Sequence, residues 1–260
     1  SYSLNKTDQN PTILYSSRGM LGYLSLNSVN RKLAWIEWKN TSMPWDLNEL
    51  ILAKLDVKVK IINILNLNNE CFKCTEKISF FSPIWSDNGD LFVAEDSSGW
   101  WNLTQIKTDS ENNLVSINQN QWPMEAELGF PQWVLGMSSF SCVGNEIVGT
   151  FAQDGKWTLA LFKKNGSIQK IEQPFIDFSG LCTYENRLVA IASSAEISEG
   201  IFEIDILTKG WNHTPASLLA LEPQQISKGE SLWFIGSNEK NVHAWYYPPL
   251  AQNMSLPPLL

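Results

Sequence analysis

One local pattern, repeated along the chain, restricts the fold more than any other feature. It is a set of apolar runs separated by polar turns, as in "FSPIWSDNGDLFVAEDSSGWWNLTQI" (Phe81–Ile106). Pro83–Trp85 and Leu91–Ala94 flank the cluster Ser86-Asp87-Asn88-Gly89-Asp90, and a second polar break at Asp96–Gly99 opens a third run, Trp100–Ile106. Asn-Gly supplies the positive φ that a tight hairpin requires, so the stretch predicts antiparallel strands joined by short turns. A fourth strand is expected near Leu114–Ile117.

The plan recurs in Gly22–Trp38, extended by Asn48–Asp56 and Lys60–Leu67, and again in Trp133–Pro174 and Phe178–Pro215. Aligned on the second strand of each unit, Leu33, Leu91, Ile147 and Leu188 fall at intervals of 58, 56 and 41 residues. These bracket the ~40–50-residue period of propeller blades. The two longer intervals hold insertions around Trp38–Trp45 and Gln119–Pro131. No helical stripe competes over a long window. The fold class is therefore all-β, with four four-stranded antiparallel β-propeller blades at about 14–67, 78–118, 133–174 and 178–219, within residues 1–221. A partial unit, a hairpin followed by a Pro-rich crossing, occupies 222–250.

Composition narrows the partners. A net charge of −8 without a basic stripe argues against nucleic acid. No run approaches the length of a membrane span, and the polar start "SYSLNKTDQN" has no signal-peptide plan, so a cytoplasmic setting is expected. Burying an indole removes about 200 Å² from water, so most of the twelve tryptophans are expected in packing layers. Cys71-Phe-Lys-Cys74 has the spacing of half a zinc knuckle, but Cys142 and Cys182 are isolated. No metal site and no cofactor are expected.

The chain is also expected to carry no catalytic residue. A hydrolase nucleophile elbow needs a Gly-x-Ser-x-Gly-like turn between strand and helix. The nearest string, Gly136-Met-Ser138-Ser-Phe140, ends in Phe and reads as part of an apolar strand. His213 and His243 show no paired nucleophile.

Four runs in order carry a family resemblance: "RKLAWIEWKNTSMPWDLNELILAKLD" (Arg31–Asp56), "FSPIWSDNGDLFVAEDSSGWWNL" (Phe81–Leu103), "EAELGFPQWVLGMSSF" (Glu125–Phe140) and "VHAWYYPP" (Val242–Pro249). Over nearly its whole length the chain resembles the propeller of bacterial prolyl-oligopeptidase-family serine peptidases, in particular the dipeptidyl aminopeptidase/acylaminoacyl-peptidase-like group. The resemblance implies an open arc of a seven-bladed propeller with further blades ahead of Ser1. It also implies that 251–260 begins an α/β-hydrolase domain that would carry the triad. The implied partners are that domain, in the same parent polypeptide, and short peptide substrates that the propeller gates and orients.

For such a rim the insertions offer Trp45, Asp46, Glu125, Glu127, Gln132 and Trp133. Carboxylates suit a cationic amino terminus and aromatics suit side chains. The competing reading makes Trp45 and Trp133 blade packing and Asp46 and Glu127 solvated turn residues. A stand-alone interaction propeller is the alternative function, although the Gly-His…Trp-Asp signature of WD repeats is not repeated. A sialidase-type propeller would need Ser-x-Asp-x-Gly-x-x-Trp boxes, and "SDNGDLF" (Ser86–Phe92) departs from that pattern.

Overall fold

The computed structural model describes residues 11–70, 78–119, 121–218 and 221–250. Blade 1 is the sheet β1 (Met20–Asn27), β2 (Lys32–Trp38), β3 (Glu49–Leu55) and β4 (Ile61–Asn66). A one-turn helix, α1 (Leu67–Glu70), follows it. Blade 2 is β5 (Phe80–Trp85), β6 (Leu91–Glu95), β7 (Asn102–Thr108) and β8 (Leu114–Asn118). Blade 3 is β9 (Phe140–Val143), β10 (Glu146–Gln153), β11 (Lys156–Phe162) and β12 (Ile168–Lys170). Blade 4 is β13 (Asp177–Tyr184), β14 (Arg187–Ser193), β15 (Gly200–Asp205) and β16 (Trp211–Pro215). The partial unit is a two-stranded hairpin, β17 (Glu230–Ile235) with β18 (Asn241–Tyr246). Leu33, Leu91, Ile147 and Leu188 all lie on second strands, β2, β6, β10 and β14.

The middle strands of blades 2 and 3 are buried on both faces because those two sheets are sandwiched. Alternate side chains of a strand point to opposite faces. On β6, Leu91 and Val93 enter the core shared with Ala34, Ile36, Leu50 and Leu52 of blade 1. Phe92 and Ala94, between them in sequence, enter the core shared with Phe140, Ile147 and Phe162 of blade 3. Val148 and Leu159 then pack with Leu188, Ala190 and Phe202 of blade 4. The hydrophobic core therefore lies between blades. Successive inner strands touch, β1 with β5, β5 with β9 and β9 with β13, and no contact of comparable extent joins β13 back to β1 among the described residues. The blades form an open arc.

Several local expectations are revised. β9 starts at Phe140, so Gly136–Ser139 precedes the strand and is not part of it. Gly136 has φ +84°, a left-handed conformation that interrupts an extended run. In the Ser86–Asp90 turn, Gly89 takes the positive φ (+86°) while Asn88 does not, and Asn88 Oδ1 accepts a bond from Ser86 Oγ at 2.5 Å. Most tryptophans are at least partly buried, and Trp38, Trp85, Trp101 and Trp157 pack against the cores. Trp35 and Trp122 are in the core, whereas Trp100, Trp133, Trp211 and Trp233 are exposed. Their surroundings are sheet edges and loops, where one ring face stays wet.

Three inner strands share a device that the apolar pattern does not announce. β1, β5 and β13 each carry a register shift, between Gly22 and Ser25, Phe81 and Ile84, and Ser179 and Cys182. Inside each shift one residue is left-handed: Tyr23 (φ 55°), Ser82 (φ 52°) and Gly180 (φ 61°). Such bulges bend a strand and re-aim its side chains. Here they recur at the innermost position of the blade.

Topology then assembles one face. In an up-down-up-down blade, the turn between second and third strands emerges at the same end as the crossing to the next blade. The β2–β3 loop, the β6–β7 turn and the long β8–β9 crossing therefore converge. The β17–β18 hairpin reaches the β10–β11 turn, where Ser231 Oγ donates to Asp154 O (3.4 Å), and Lys228 pairs with Glu196 of the β14–β15 loop (3.0 Å). No helix among the described residues is long and apolar enough to cross a membrane.

Candidate functional site

The β2–β3 loop is held by one buried side chain. Asn48 is 1% exposed, and its Nδ2 donates to Pro44 O (2.6 Å) and Phe80 O (2.8 Å). Its Oδ1 accepts the Phe80 N–H at 2.7 Å. The end of the loop is thus locked to the first residue of β5 in the next blade. Asn is suited to this, since one amide offers both donors and acceptor.

The β8–β9 crossing is tied down at each step. Asn102 accepts from Met124 N (2.7 Å) and donates to Met124 O (3.0 Å), and Trp122 Nε1 donates to Lys163 O (2.8 Å). Glu127 pairs with Ala152 through two backbone bonds, and its Oε2 accepts the Trp101 N–H at 2.9 Å. Gly129 lies against Trp101, and a Cβ there would stand 2.7 Å from the indole ring. Gln132 Nε2 donates to Phe80 O (3.2 Å), the same carbonyl that Asn48 holds. Tyr23 OH, whose pKa burial pushes up to about 12, donates to Val134 O (3.3 Å).

These anchors bring Trp45 and Trp133 together, 88 residues apart in sequence, with ring centroids 4.4 Å apart and planes tilted by 53°. Beneath and beside them lies an apolar cleft of about 300 Å³, lined by Met20, Trp38, Met43, Gln132 and Leu135 among others. Met43, Val134 and Leu135 leave much of their surface exposed. Asp46 is exposed at the end of the loop. Glu125 is also exposed and borders a separate cleft of about 450 Å³, together with Glu95, Ser97, Trp100 and Gln119. Three of the six rim candidates, Trp45, Gln132 and Trp133, therefore share one cleft, and Glu125 faces another. The Glu127 carboxylate is engaged in holding the β6–β7 turn.

The β6–β7 turn adds two carboxylates that sequence reading passed over. Glu95 is 2% exposed, and Ser97 N–H (2.7 Å), Thr104 Oγ1 (3.1 Å) and Gln119 Nε2 (3.3 Å) donate to it. Asp96 Oδ1 accepts the Ser79 N–H at 2.8 Å. Desolvation leads the causes that raise the Asp96 pKa above 3.8, the Ser79 bond opposing it. The folded state then binds a proton more tightly than the unfolded chain, so this group's contribution to stability is lost as pH rises from 3.8 through the folded value. Asp96→Asn keeps the acceptor without the charge. It is expected to be more stable than the parent at pH 7 and to converge with it on acidification, measured by urea unfolding at both pH values.

One histidine is placed differently from expectation. His243 Nε2 lies 2.9 Å from Ser231 Oγ, so a nucleophile-type partner is present, across the β17–β18 hairpin. Pairing of two strands brings residues twelve apart into reach, which linear spacing does not reveal. His213 packs on Phe175 (4.8 Å), and its Nε2 is buried with no hydrogen-bond partner. Ser138 Oγ donates to Leu181 O at 2.8 Å, a bond between blades 3 and 4. Cys71 and Cys74 lie outside the described residues, as do 1–10 and 251–260. Among the described residues no three His, Cys, Asp or Glu side chains cluster as a metal site.

The architecture is a β-propeller, and prolyl-oligopeptidase-family peptidases are among its structural neighbours. A puromycin-hydrolysing peptidase of Mycobacterium tuberculosis matches with a TM-score of 0.79 and 22% identity, over 91% of this chain and 35% of that one. A puromycin hydrolase matches with 0.78 and 22%, over 90% and 34%. Prolyl oligopeptidase B from Galerina marginata, bound to a 35mer substrate, matches with 0.69 and 13%, over 94% and 34%. At these identities the likeness is one of fold, and the chain spans about a third of the length of each structure. No protein-family model and no curated protein matches the sequence.

Proposed function

We propose that the chain is the non-catalytic propeller part of a serine peptidase or acylaminoacyl hydrolase of the prolyl oligopeptidase family. In this reading it gates and orients short peptides for an α/β-hydrolase domain carried elsewhere in a longer, cytoplasmic polypeptide. The observation that carries it is the fold likeness over 91% of the chain to about a third of a puromycin-hydrolysing peptidase. The quoted "MPWD", "GWWNL" and "GFPQWVLGM" runs support the same assignment. Gating needs a face on which loops from different blades meet, and the Trp45–Trp133 cleft lies on such a face. Asp46 and Glu125, exposed near the two clefts, are the proposed carboxylates for a substrate amine, and Glu127 contributes by fixing the crossing that bears Glu125.

The 260-residue chain is expected to leave aminoacyl and acyl-aminoacyl chromogenic substrates uncleaved and to resist fluorophosphonate labelling. Ser231 is the residue to watch, because of its bond to His243. Intact-mass analysis showing one adduct per chain, on Ser231 or Ser138, would place a nucleophile inside this chain and end the non-catalytic reading.

A further inference from the structure

One group in the Trp45–Trp133 cleft is not explained by packing. Gln132 is 4% exposed, and its Oε1 is buried with no hydrogen-bond partner. A buried acceptor left unpaired is costly, and natural structures rarely keep one without a use. Its orientation is not free: Nε2 donates to Phe80 O, which Asn48 also holds. Oε1 therefore stays turned away from that carbonyl. No charged side chain lines the cleft, which disfavours a cation or an anion as its occupant. Its volume, about 300 Å³, is at the small end for ligand sites and fits one side chain. The walls include three indoles, of Trp38, Trp45 and Trp133, and the thioethers of Met20 and Met43, groups that favour aromatic partners through edge-to-face and sulfur contacts. Trp133 is 74% exposed, so little packing opposes its outward rotation.

We propose that this cleft takes the aromatic side chain of a peptide, with an amide N–H of that peptide donating to Gln132 Oε1 as Trp133 swings outward. The choice of a peptide rests on the gating reading above; the preference for an aromatic group rests on the cleft itself.

The test titrates the 260-residue chain with N-acetylphenylalanine amide and with N-acetylalanine amide, followed by calorimetry. Saturable binding near 1 mM is expected for the first, at least 10-fold weaker binding for the second, and loss of the signal in Trp45→Ala. Gln132→Met, which keeps the volume and removes the acceptor, is expected to weaken binding about 10-fold. Equal affinity for the two amides, or no saturation with either, overturns the proposal without need of any variant. Retained affinity in Trp45→Ala does the same. Binding that disappears in a longer, peptidase-active polypeptide would make the cleft a domain interface, which overturns the inference and leaves the gating reading standing. Binding by the chain combined with an inactive longer polypeptide would remove the gating reading alone.

Discussion

Replacing Phe81 with alanine is expected to lower the unfolding free energy by about 3–5 kcal/mol, the range for truncating a fully buried aromatic. Phe81 is fully buried and sits where three blades meet. Its ring contacts Tyr23 of blade 1 (5.4 Å), Trp101 of blade 2 (6.2 Å), Phe140 of blade 3 (6.4 Å) and Phe130 of the crossing (6.1 Å), mostly edge to face. The cavity cannot collapse easily, because its walls belong to separate sheets that are each hydrogen-bonded in register. Phe81→Leu, which fills most of the volume, should recover much of the loss. Urea unfolding followed by far-UV circular dichroism checks both. A change below about 1 kcal/mol for Phe81→Ala would mean that the blades are stabilised independently and not through their shared cores.

Asn48→Ala is expected to cost a similar amount, about 3–5 kcal/mol, by a different route. It removes two buried hydrogen bonds, from the Phe80 N–H to Asn48 and from Asn48 to the Pro44 carbonyl. It also unfastens the β2–β3 loop, so Trp45 should leave Trp133. Two indoles with centroids 4.4 Å apart couple their transitions, and the resulting circular-dichroism couplet should vanish in Asn48→Ala at temperatures where the fold persists. A destabilised variant that keeps the couplet would show that Gln132 and the crossing hold the aromatic pair without Asn48.

The two substitutions differ in how legible they are beforehand. Phe81 belongs to an apolar run that any strand reading places in a core. Asn48 sits at the edge of a polar loop, "NTSMPWDLN" (Asn40–Asn48), where an Asn ordinarily reads as turn chemistry. Nothing local distinguishes it, because its decisive partner, Phe80, lies 32 residues further on. Gln132 is among the rim candidates the sequence offers, but its burial is not legible there: its neighbours in sequence, Pro131 and Trp133, are exposed, while it alone turns inward.

Periodicity of apolar runs and turn residues determined by itself that this chain makes four blades of four antiparallel strands, and it located the second strand of each. That much follows from local chemistry, since strand alternation and turn dihedrals are decided by residues a few positions apart. The face that carries the Trp45–Trp133 cleft was decided by tertiary structure. Trp45 and Trp133 meet and Glu127 latches Trp101 because sheets stack side by side and bring their loops to one end, and Ser231 reaches His243 through the pairing of β17 with β18. The left-handed bulges at Tyr23 and Ser82 belong to the same class. Neither residue favours that conformation, and the energy that holds it comes from packing against neighbouring blades, a term no local stretch of sequence contains.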